Sequence, residues 1–135
     1  MIVFVDTSAI AALLIKNDSN HLLSVDILKR LTEQGAELII SNFIVAETYN
    51  LLSARTHPSL ARRWFLTNTW NVESVTDADE KSAKSIIEKY EGKDFSYTDA
   101  TSFAMIKRLN IDRAFTFDHH FEQYGINNKV TLVAV

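Results

Sequence analysis

Apolar and polar residues follow two different patterns along this chain, and the two patterns alternate from one end to the other. Short runs of consecutive apolar residues are typical of strands buried on both faces, whereas apolar residues at helical spacing are typical of amphipathic helices. Strands are predicted at residues 2–5, 38–40, 70–75, 114–117 and 130–135, and helices at 9–14, 20–35, 43–55, 59–66, 77–92 and 96–109. Strands that alternate with helices indicate an α/β fold with a parallel sheet covered on both faces.

The boundaries of the helices are predicted from capping residues and from residues that stop a helix. Gly35 is expected to end the second helix, and Pro58 suits the first turn of the fourth helix. The predicted N-caps, in chain order, are Thr7 or Ser8, Asn20, Ser41 or Asn42, Asp77 and Ser96.

The composition narrows the class of protein. The length predicts one domain, residues 1–135, and the apolar share of 47% is that of an ordinary globular protein. Cysteine is absent, which excludes disulfides and thiolate-bound zinc and is compatible with a reducing compartment. The formal net charge of −3 disfavours a nucleic-acid-binding protein of the strongly basic type.

The N-terminal apolar run is predicted to be a strand and not a signal peptide, because no basic segment precedes it and Asp6 follows it directly. The longest later apolar run, residues 9–15, is too short to cross a bilayer. We therefore expect a cytoplasmic protein without a membrane partner.

Four acidic residues lie where buried elements begin or end. Asp6 follows the first strand, Asp118 follows the run 114–117, and Asp99 lies in the first turn of a helix. Glu47 lies in a helix among apolar neighbours three and four residues away, an uncommon place for an unpaired carboxylate. Parallel sheets bind ligands at the carboxyl edge of their strands. Carboxylates gathered there suit a hard divalent cation, which predicts metal-dependent phosphodiester chemistry.

Each of these acids also has a structural alternative. Asp6 and Asp118 are candidates for helix caps, Asp99 has the spacing of a capping box with Ser96, and Glu47 has Arg55 as a candidate partner. The four acids together favour the functional interpretation over the structural one. Neighbouring carboxylates repel one another unless a cation or a proton offsets their charge.

The histidines predict no zinc site. His119 and His120 are adjacent, so their side chains point apart and do not readily bind one ion together. The other two histidines, His21 and His57, lie far away in the sequence.

Four short segments, in this order, resemble the motifs of PIN-domain nucleases. They are Val5-Asp6-Thr7-Ser8, Ala46-Glu47, Ser96-Tyr97-Thr98-Asp99-Ala100 and Phe115-Thr116-Phe117-Asp118. The resemblance covers essentially the whole chain. The size of the chain is also similar to that of the VapC-type toxins of prokaryotic toxin–antitoxin pairs. It implies a three-layer α/β/α fold with a central parallel sheet of about five strands in an order like 3-2-1-4-5.

The resemblance also implies an activity and a set of site residues. The activity is that of a Mg²⁺- or Mn²⁺-dependent endoribonuclease, the toxin of a type II pair, acting on single-stranded or loop regions of RNA. The implied catalytic and metal-binding residues are Asp6, Glu47, Asp99 and Asp118, and the hydroxyls implied to orient them are those of Thr7, Ser96 and Thr116. The implied partners are the RNA substrate, a small antitoxin protein and a second copy of the chain.

Substrate contacts are predicted around the fourth helix. Arg55, Arg62 and Arg63 are the candidate phosphate-binding residues, and Trp64 is a candidate for stacking on an unpaired base. The alternative is a solvated helix face with a tryptophan in the core.

Three other classes of protein compete with a toxin nuclease. One is a standalone PIN-domain nuclease without an antitoxin, which would carry the same acids. Another is a doubly wound phosphoacceptor or phosphatase, but phosphatases of that kind need a second acid two residues after the first, where this chain has Ser8. The third is an interaction module that has lost catalysis, which the presence of all four acids disfavours.

Overall fold

A parallel β-sheet forms the centre of the molecule in the computed structural model, which describes residues 1–128 and 131–132. The strand order is β3-β2-β1-β4-β5, and every neighbouring pair is parallel. The family resemblance implied this order, and the structure confirms it. The strands are β1 (Ile2–Val5), β2 (Glu37–Ser41), β3 (Asn71–Glu73), β4 (Arg113–Phe115) and β5 (Thr131–Leu132). The remainder of the predicted last strand, residues 130 and 133–135, lies outside the described residues.

Seven helices connect and cover these strands within the described ranges. They are α1 (Thr7–Leu14), α2 (His21–Glu33), α3 (Asn42–Arg55), α4 (Pro58–Thr67), α5 (Asp77–Lys89), α6 (Tyr97–Arg108) and α7 (His119–Asn128), with a short 3₁₀ turn at Glu91–Lys93. Each predicted helix is present, and α7 follows Asp118, which was a candidate helix cap.

Strand β1 explains why helices cover both faces of the sheet. Its residues Val3, Phe4 and Val5 are all fully buried, although successive side chains of a strand point to opposite faces. Both faces must therefore be shielded from water, which agrees with the three-layer α/β/α architecture. The apolar run at the N-terminus is thus the central strand of the core.

Two helices have a different cap from the one predicted, and for α1 the cap is Asp6, which was the alternative candidate. Helix α1 is capped by Asp6, whose carboxylate accepts a hydrogen bond from the backbone N–H of Ser8 at 3.3 Å. Helix α5 is capped by Thr76 and not by Asp77, because Thr76 forms a capping box with Asp79. In both cases the residue one step earlier in the chain has the extended backbone that a cap needs.

Other boundaries agree with the sequence. Ser41 and Ser96 cap α3 and α6 as expected, and Asn20 precedes α2, although its side chain makes no capping hydrogen bond. Strand β4 ends at Phe115, two residues earlier than predicted, because the N–H of Phe117 donates to the Ser8 hydroxyl at 2.9 Å. The second half of the run 114–117 therefore lies outside the strand.

A buried ion pair joins α5 to α6. The guanidinium of Arg108 donates to both carboxylate oxygens of Asp79 at 2.8 and 3.0 Å, and Asp79 is only 2% exposed. Burial alone would raise the pKa of Asp79, but the hydrogen bonds from Arg108 and Thr76 outweigh it and lower that pKa below its usual value. The pair holds the two helices together.

None of the helices in the described part of the chain combines the length and the apolar character that crossing a membrane requires.

Replacing Arg108 by Met is expected to lower the free energy of unfolding by about 2–3 kcal/mol. Removal of one partner of a fully buried pair costs about 3–5 kcal/mol, and the value is smaller here because Arg108 is partly exposed. Urea unfolding measures the change. The control is Arg30→Met, which breaks an exposed pair with Asp26 on α2 and is expected to cost at most about 1 kcal/mol. Equal losses in the two variants would contradict the proposed anchoring role.

Candidate metal centre

The strand order creates a crevice beside the end of β1. The chain runs from β1 through β2 to β3 on one side, and then places β4 and β5 on the other side of β1. At such a switch point the connections leave in opposite directions and open a cleft at the carboxyl edge. The cleft has a volume of about 390 Å³, and Asp6, Glu47, Asp99 and Asp118 all line it.

Asp6 is the most deeply buried of the four acids, with 3% of its surface exposed. One carboxylate oxygen, Oδ2, accepts hydrogen bonds from the hydroxyls of Ser8 at 2.7 Å and Thr116 at 3.0 Å. Burial raises the pKa of Asp6 to about 7, and the negative charges of Asp99 and Glu47 add to the rise against these hydrogen bonds. The site therefore holds a carboxylate whose charge is not offset by its neighbours.

Hydroxyl groups tie the ends of β1 and β4 together beneath the acids. The hydroxyls of Ser8 and Thr116 lie 3.2 Å apart, and Ser8 accepts the backbone N–H of Phe117 at 2.9 Å. The hydroxyl of Thr116 accepts the N–H of Asp118 at 3.0 Å. Thr116 was among the hydroxyls predicted to orient the carboxylates. The role of Ser8 was missed, and the signal that pointed to it is its place two residues after Asp6.

Asp99 occupies the first turn of α6 and closes a capping box with Ser96. Its carboxylate accepts the N–H of Ser96 at 3.2 Å, and the Ser96 hydroxyl accepts the N–H of Asp99 at 3.0 Å. Burial is the main cause that raises the pKa of Asp99, and the charge of Asp118 adds to it, against hydrogen bonds from Ser96 and His120. Asp99 therefore takes part in the cap of α6 and also lines the cleft, so its structural and functional interpretations are compatible.

Glu47 reaches the cleft from α3 and is half-buried. Burial raises its pKa, the Thr7 hydroxyl lowers it through a hydrogen bond, and the charges of Asp99 and Asp118 raise it. The Thr7 hydroxyl also accepts from Thr48 at 3.3 Å, which links α1 to α3. The suggested partner of Glu47, Arg55, has its ion pair with Asp18 instead, at 3.8 Å.

Asp118 and His120 complete the arrangement at the start of α7. The carboxylate of Asp118 accepts the backbone N–H of His120 at 2.9 Å, and His120 Nδ1 lies 3.0 Å from Asp99 Oδ2. Ligand atoms of Asp99, Asp118 and His120 all lie within 4.8 Å of one another. The two histidines were considered only as a pair in the sequence, so the place of His120 at the site was missed. The spacing Asp118-x-His120 at a helix start is the signal for it.

The three predicted substrate-binding arginines are not together. Arg55, about half exposed, lines the acidic cleft near Asp18. Arg62 and Arg63 are exposed on α4, and Arg62 lines a separate cavity between α3 and α4. Trp64 is half-buried and packs against the core, which agrees with the alternative of a core tryptophan and not with a base-stacking residue.

These residues fit a divalent ion of the hard type. The four acids provide carboxylate oxygens, the ligands that Mg²⁺ and Mn²⁺ prefer. Within residues 1–128, no lysine or arginine forms an ion pair with any of the four. Burial is the main cause that raises the pKa values of Asp6, Glu47 and Asp99, and repulsion among the carboxylates adds to it, so full ionisation of the cleft requires a compensating positive charge. A bound cation would supply it.

Comparisons with known proteins bear on the family and the fold of this chain. The model of the PIN domain family matches residues 3–127. The chain is 33% identical over 127 residues to the 23S rRNA-specific endonuclease VapC20 of Mycobacterium tuberculosis, in strains CDC 1551 and H37Rv, covering 91% of this chain and 94% of the relative. The crystal structure of M. tuberculosis VapC20, described as a sarcin–ricin loop cleaving toxin, superposes with a TM-score of 0.81 at 32% identity, over 93% of this chain and 95% of that chain.

Without metal, Asp6 is expected to make the protein less stable as the pH rises. Native Asp6 keeps its proton up to about pH 7, whereas the unfolded chain releases it near 3.8, so the native state binds more protons between these values. The free energy of unfolding then falls by about 1.4 kcal/mol per pH unit in this window, or about 4 kcal/mol in all. Chemical unfolding in chelator at about pH 5 and about pH 8 spans about two units of this window, so the measured loss is expected to be about 3 kcal/mol.

The variant Asp6→Asn removes this titration while keeping an oxygen that can accept the same hydrogen bonds. We expect a flatter dependence on pH in Asp6→Asn and an unchanged one in Asp112→Asn, which replaces an exposed acid. If Asp6→Asn and wild type lose stability equally between the two pH values, the uncompensated charge has been misassigned.

Proposed function

The chain belongs to the PIN domain family, and we propose that it is a Mg²⁺- or Mn²⁺-dependent endoribonuclease, the toxin of a type II toxin–antitoxin pair. The observation that carries the proposal is the cleft at the switch point of the sheet, which four carboxylates line without a lysine or arginine partner in the described part of the chain. The similarity to VapC20 over most of both chains supports the toxin class. The phosphoacceptor or phosphatase alternative finds no support in the family match.

Asp6, Glu47, Asp99 and Asp118 would hold the ion in this proposal. A divalent ion in such a place lowers the pKa of water and neutralises the charge that builds on the phosphate. The reaction adds water across the RNA backbone: the water oxygen bonds to phosphorus, and the bond between phosphorus and the leaving ribose oxygen breaks. The chain's own task is to hold the carboxylates in place.

Hydroxyl groups and one backbone N–H carry out that task. The Ser8 and Thr116 hydroxyls fix one oxygen of Asp6, and the Thr7 hydroxyl reaches Glu47. The backbone N–H of Ser96 fixes Asp99. Residues fixed in this way need little rearrangement when the reaction begins, which is how preorganised sites lower a barrier. Ser8 is itself held by Asp6 and by the N–H of Phe117, so we assign it no role as a covalent nucleophile.

The substrate in this proposal is a loop of structured RNA. VapC20 of M. tuberculosis is a 23S rRNA-specific endonuclease, a toxin that cleaves the sarcin–ricin loop. We extend this class of substrate, ribosomal RNA loops, to the present chain. Arg55 is the first candidate to contact the phosphate backbone, because it lines the acidic cleft and its contact with Asp18 is long. Contact through Arg62 and Arg63 stays a prediction.

The protein partners follow from the same proposal. A toxin requires an antitoxin that silences it, and a basic peptide segment would complement the acidic cleft. Association with a second copy of the chain is also proposed, because large apolar side chains are exposed on α2 and α4, among them Leu22, Val25, Phe65 and Leu66.

Purified protein is expected to cleave ribosomal RNA in the presence of Mg²⁺ or Mn²⁺, and chelator is expected to stop it. In Asp99→Asn, cleavage should fall by at least about 100-fold, since even outer partners of a metal contribute roughly 10–100-fold. Primer extension on 23S rRNA measures the cut positions and their yield.

The matched control for that loss is Asp94→Asn. Asp94 is an exposed acid five residues before Asp99 and does not line the cleft, so its replacement is expected to leave cleavage unchanged. Cleavage that survives chelator, or that survives Asp99→Asn, would refute the proposed metal-dependent nuclease.

Replacing Arg55 by Ala is expected to weaken RNA binding and to reduce its dependence on salt. Loss of one phosphate contact lowers the slope of log affinity against log salt concentration by about 0.7 for single-stranded nucleic acid. The binding is measured in the cleavage-deficient Asp99→Asn background, with Arg30→Ala on α2 as the control. A slope that is the same in Arg55→Ala and in the control would exclude Arg55. The same comparison applied to Arg62→Ala and Arg63→Ala tests those two positions.

A further inference from the structure

His120 brings a nitrogen atom into the acidic cleft. Its Nδ1 lies 3.0 Å from Asp99 Oδ2 and 3.4 Å from Asp118 Oδ1. No other histidine lines this cleft within the described part of the chain. A group so close to two proposed metal ligands either belongs to the metal centre or serves only to orient the carboxylates.

The surroundings of His120 hold its ring in one place. Its backbone N–H donates to Asp118 Oδ1 at 2.9 Å, which fixes the start of α7 against the cleft. The ring of Phe95 packs against the imidazole edge to face, with centroids 5.5 Å apart. The side chain of His120 is 21% exposed, whereas that of the adjacent His119 is 71% exposed. The two neighbours therefore have different environments, and only His120 is held at the site.

The distances match those between neighbouring ligands of one ion. Ligands about 2.1 Å from an ion in octahedral geometry are about 3.0 Å apart when they are adjacent. The separations of 3.0 and 3.4 Å from Nδ1 to the two carboxylates are close to that value. The ligand atoms of all three residues also lie within 4.8 Å of one another, so small side-chain movements suffice for one ion to contact all three.

We propose that His120 is a metal ligand through Nδ1, together with Asp99 and Asp118, and that it makes the site favour Mn²⁺ over Mg²⁺. In the bound state the ring carries its proton on Nε2, and the ion replaces the hydrogen bond between Nδ1 and Asp99 Oδ2. First-row transition-metal ions accept imidazole nitrogen, whereas Mg²⁺ is bound almost entirely by oxygen. The inference rests on the proposed function in one respect, that the cleft binds a divalent ion.

Pulsed electron paramagnetic resonance of bound Mn²⁺ tests this without RNA. The full chain is loaded with Mn²⁺ alone, and the spectrum is examined for hyperfine coupling to a coordinated imidazole nitrogen. We expect this coupling in the wild type and in His119→Gln, and its loss in His120→Gln. Absence of nitrogen coupling in the wild type overturns the inference by itself, so the test does not depend on the folding of a variant.

Calorimetric titration supplies the second measurement. In His120→Gln, Mn²⁺ binding is expected to weaken by roughly tenfold or more, given that outer partners of a metal already contribute about 10–100-fold. Mg²⁺ binding should weaken less, so that the preference for Mn²⁺ shrinks. Equal weakening for the two ions would show that His120 only orients the carboxylates.

The outcomes separate this inference from the proposed function. RNA cleavage with no nitrogen coupling leaves the nuclease proposal intact and overturns the ligand role of His120. Nitrogen coupling that disappears in His120→Gln, with no cleavage of RNA under any condition, supports the metal ligand and refutes the nuclease.

Discussion

The structure depends on placing several carboxylates at one buried edge without a lysine or arginine to offset their charge in the described part of the chain. Such an arrangement opposes folding, since buried charges lose hydration and repel one another. The fold tolerates it by burying Asp6 among hydroxyls and by giving it a pKa near 7, so that a proton can take the place of a cation. The contrast with Asp79 is direct: there, a guanidinium lowers the pKa of an equally buried acid.

The two buried aspartates show how one chain separates stability from chemistry. Asp79 and Arg108 satisfy each other and leave nothing for a ligand, which suits a contact between helices. Among the described residues, hydroxyl groups and a backbone N–H are the hydrogen-bond donors to Asp6, and they orient its carboxylate without neutralising it. The chain belongs to the PIN domain family. In the proposed function the acids of the cleft bind an ion, so they must not be neutralised as Asp79 is.

Local features were predictable from the sequence, whereas most contacts between distant residues were not. The buried run of β1 and the capping box of Ser96 and Asp99 depend on neighbouring residues, so their patterns could be seen directly. The carboxylate cluster itself was inferred from strand ends and helix starts. The positions of Ser8 and His120 depend on contacts across 109 and 21 residues, which periodicity does not encode. The cap of α1 was assigned to the wrong residue because Asp6, Thr7 and Ser8 are all good capping types.

The hydrogen bond between Thr116 and Asp6 joins residues 110 positions apart, and β4 must dock beside β1 before it can form. Contacts of such long range are made late, after the intervening helices and strands have been ordered. During synthesis the N-terminal acid therefore leaves the ribosome well before the residues that complete its surroundings. The hydroxyl that Thr116 gives to Asp6 is consequently missing from any nascent segment that stops short of β4.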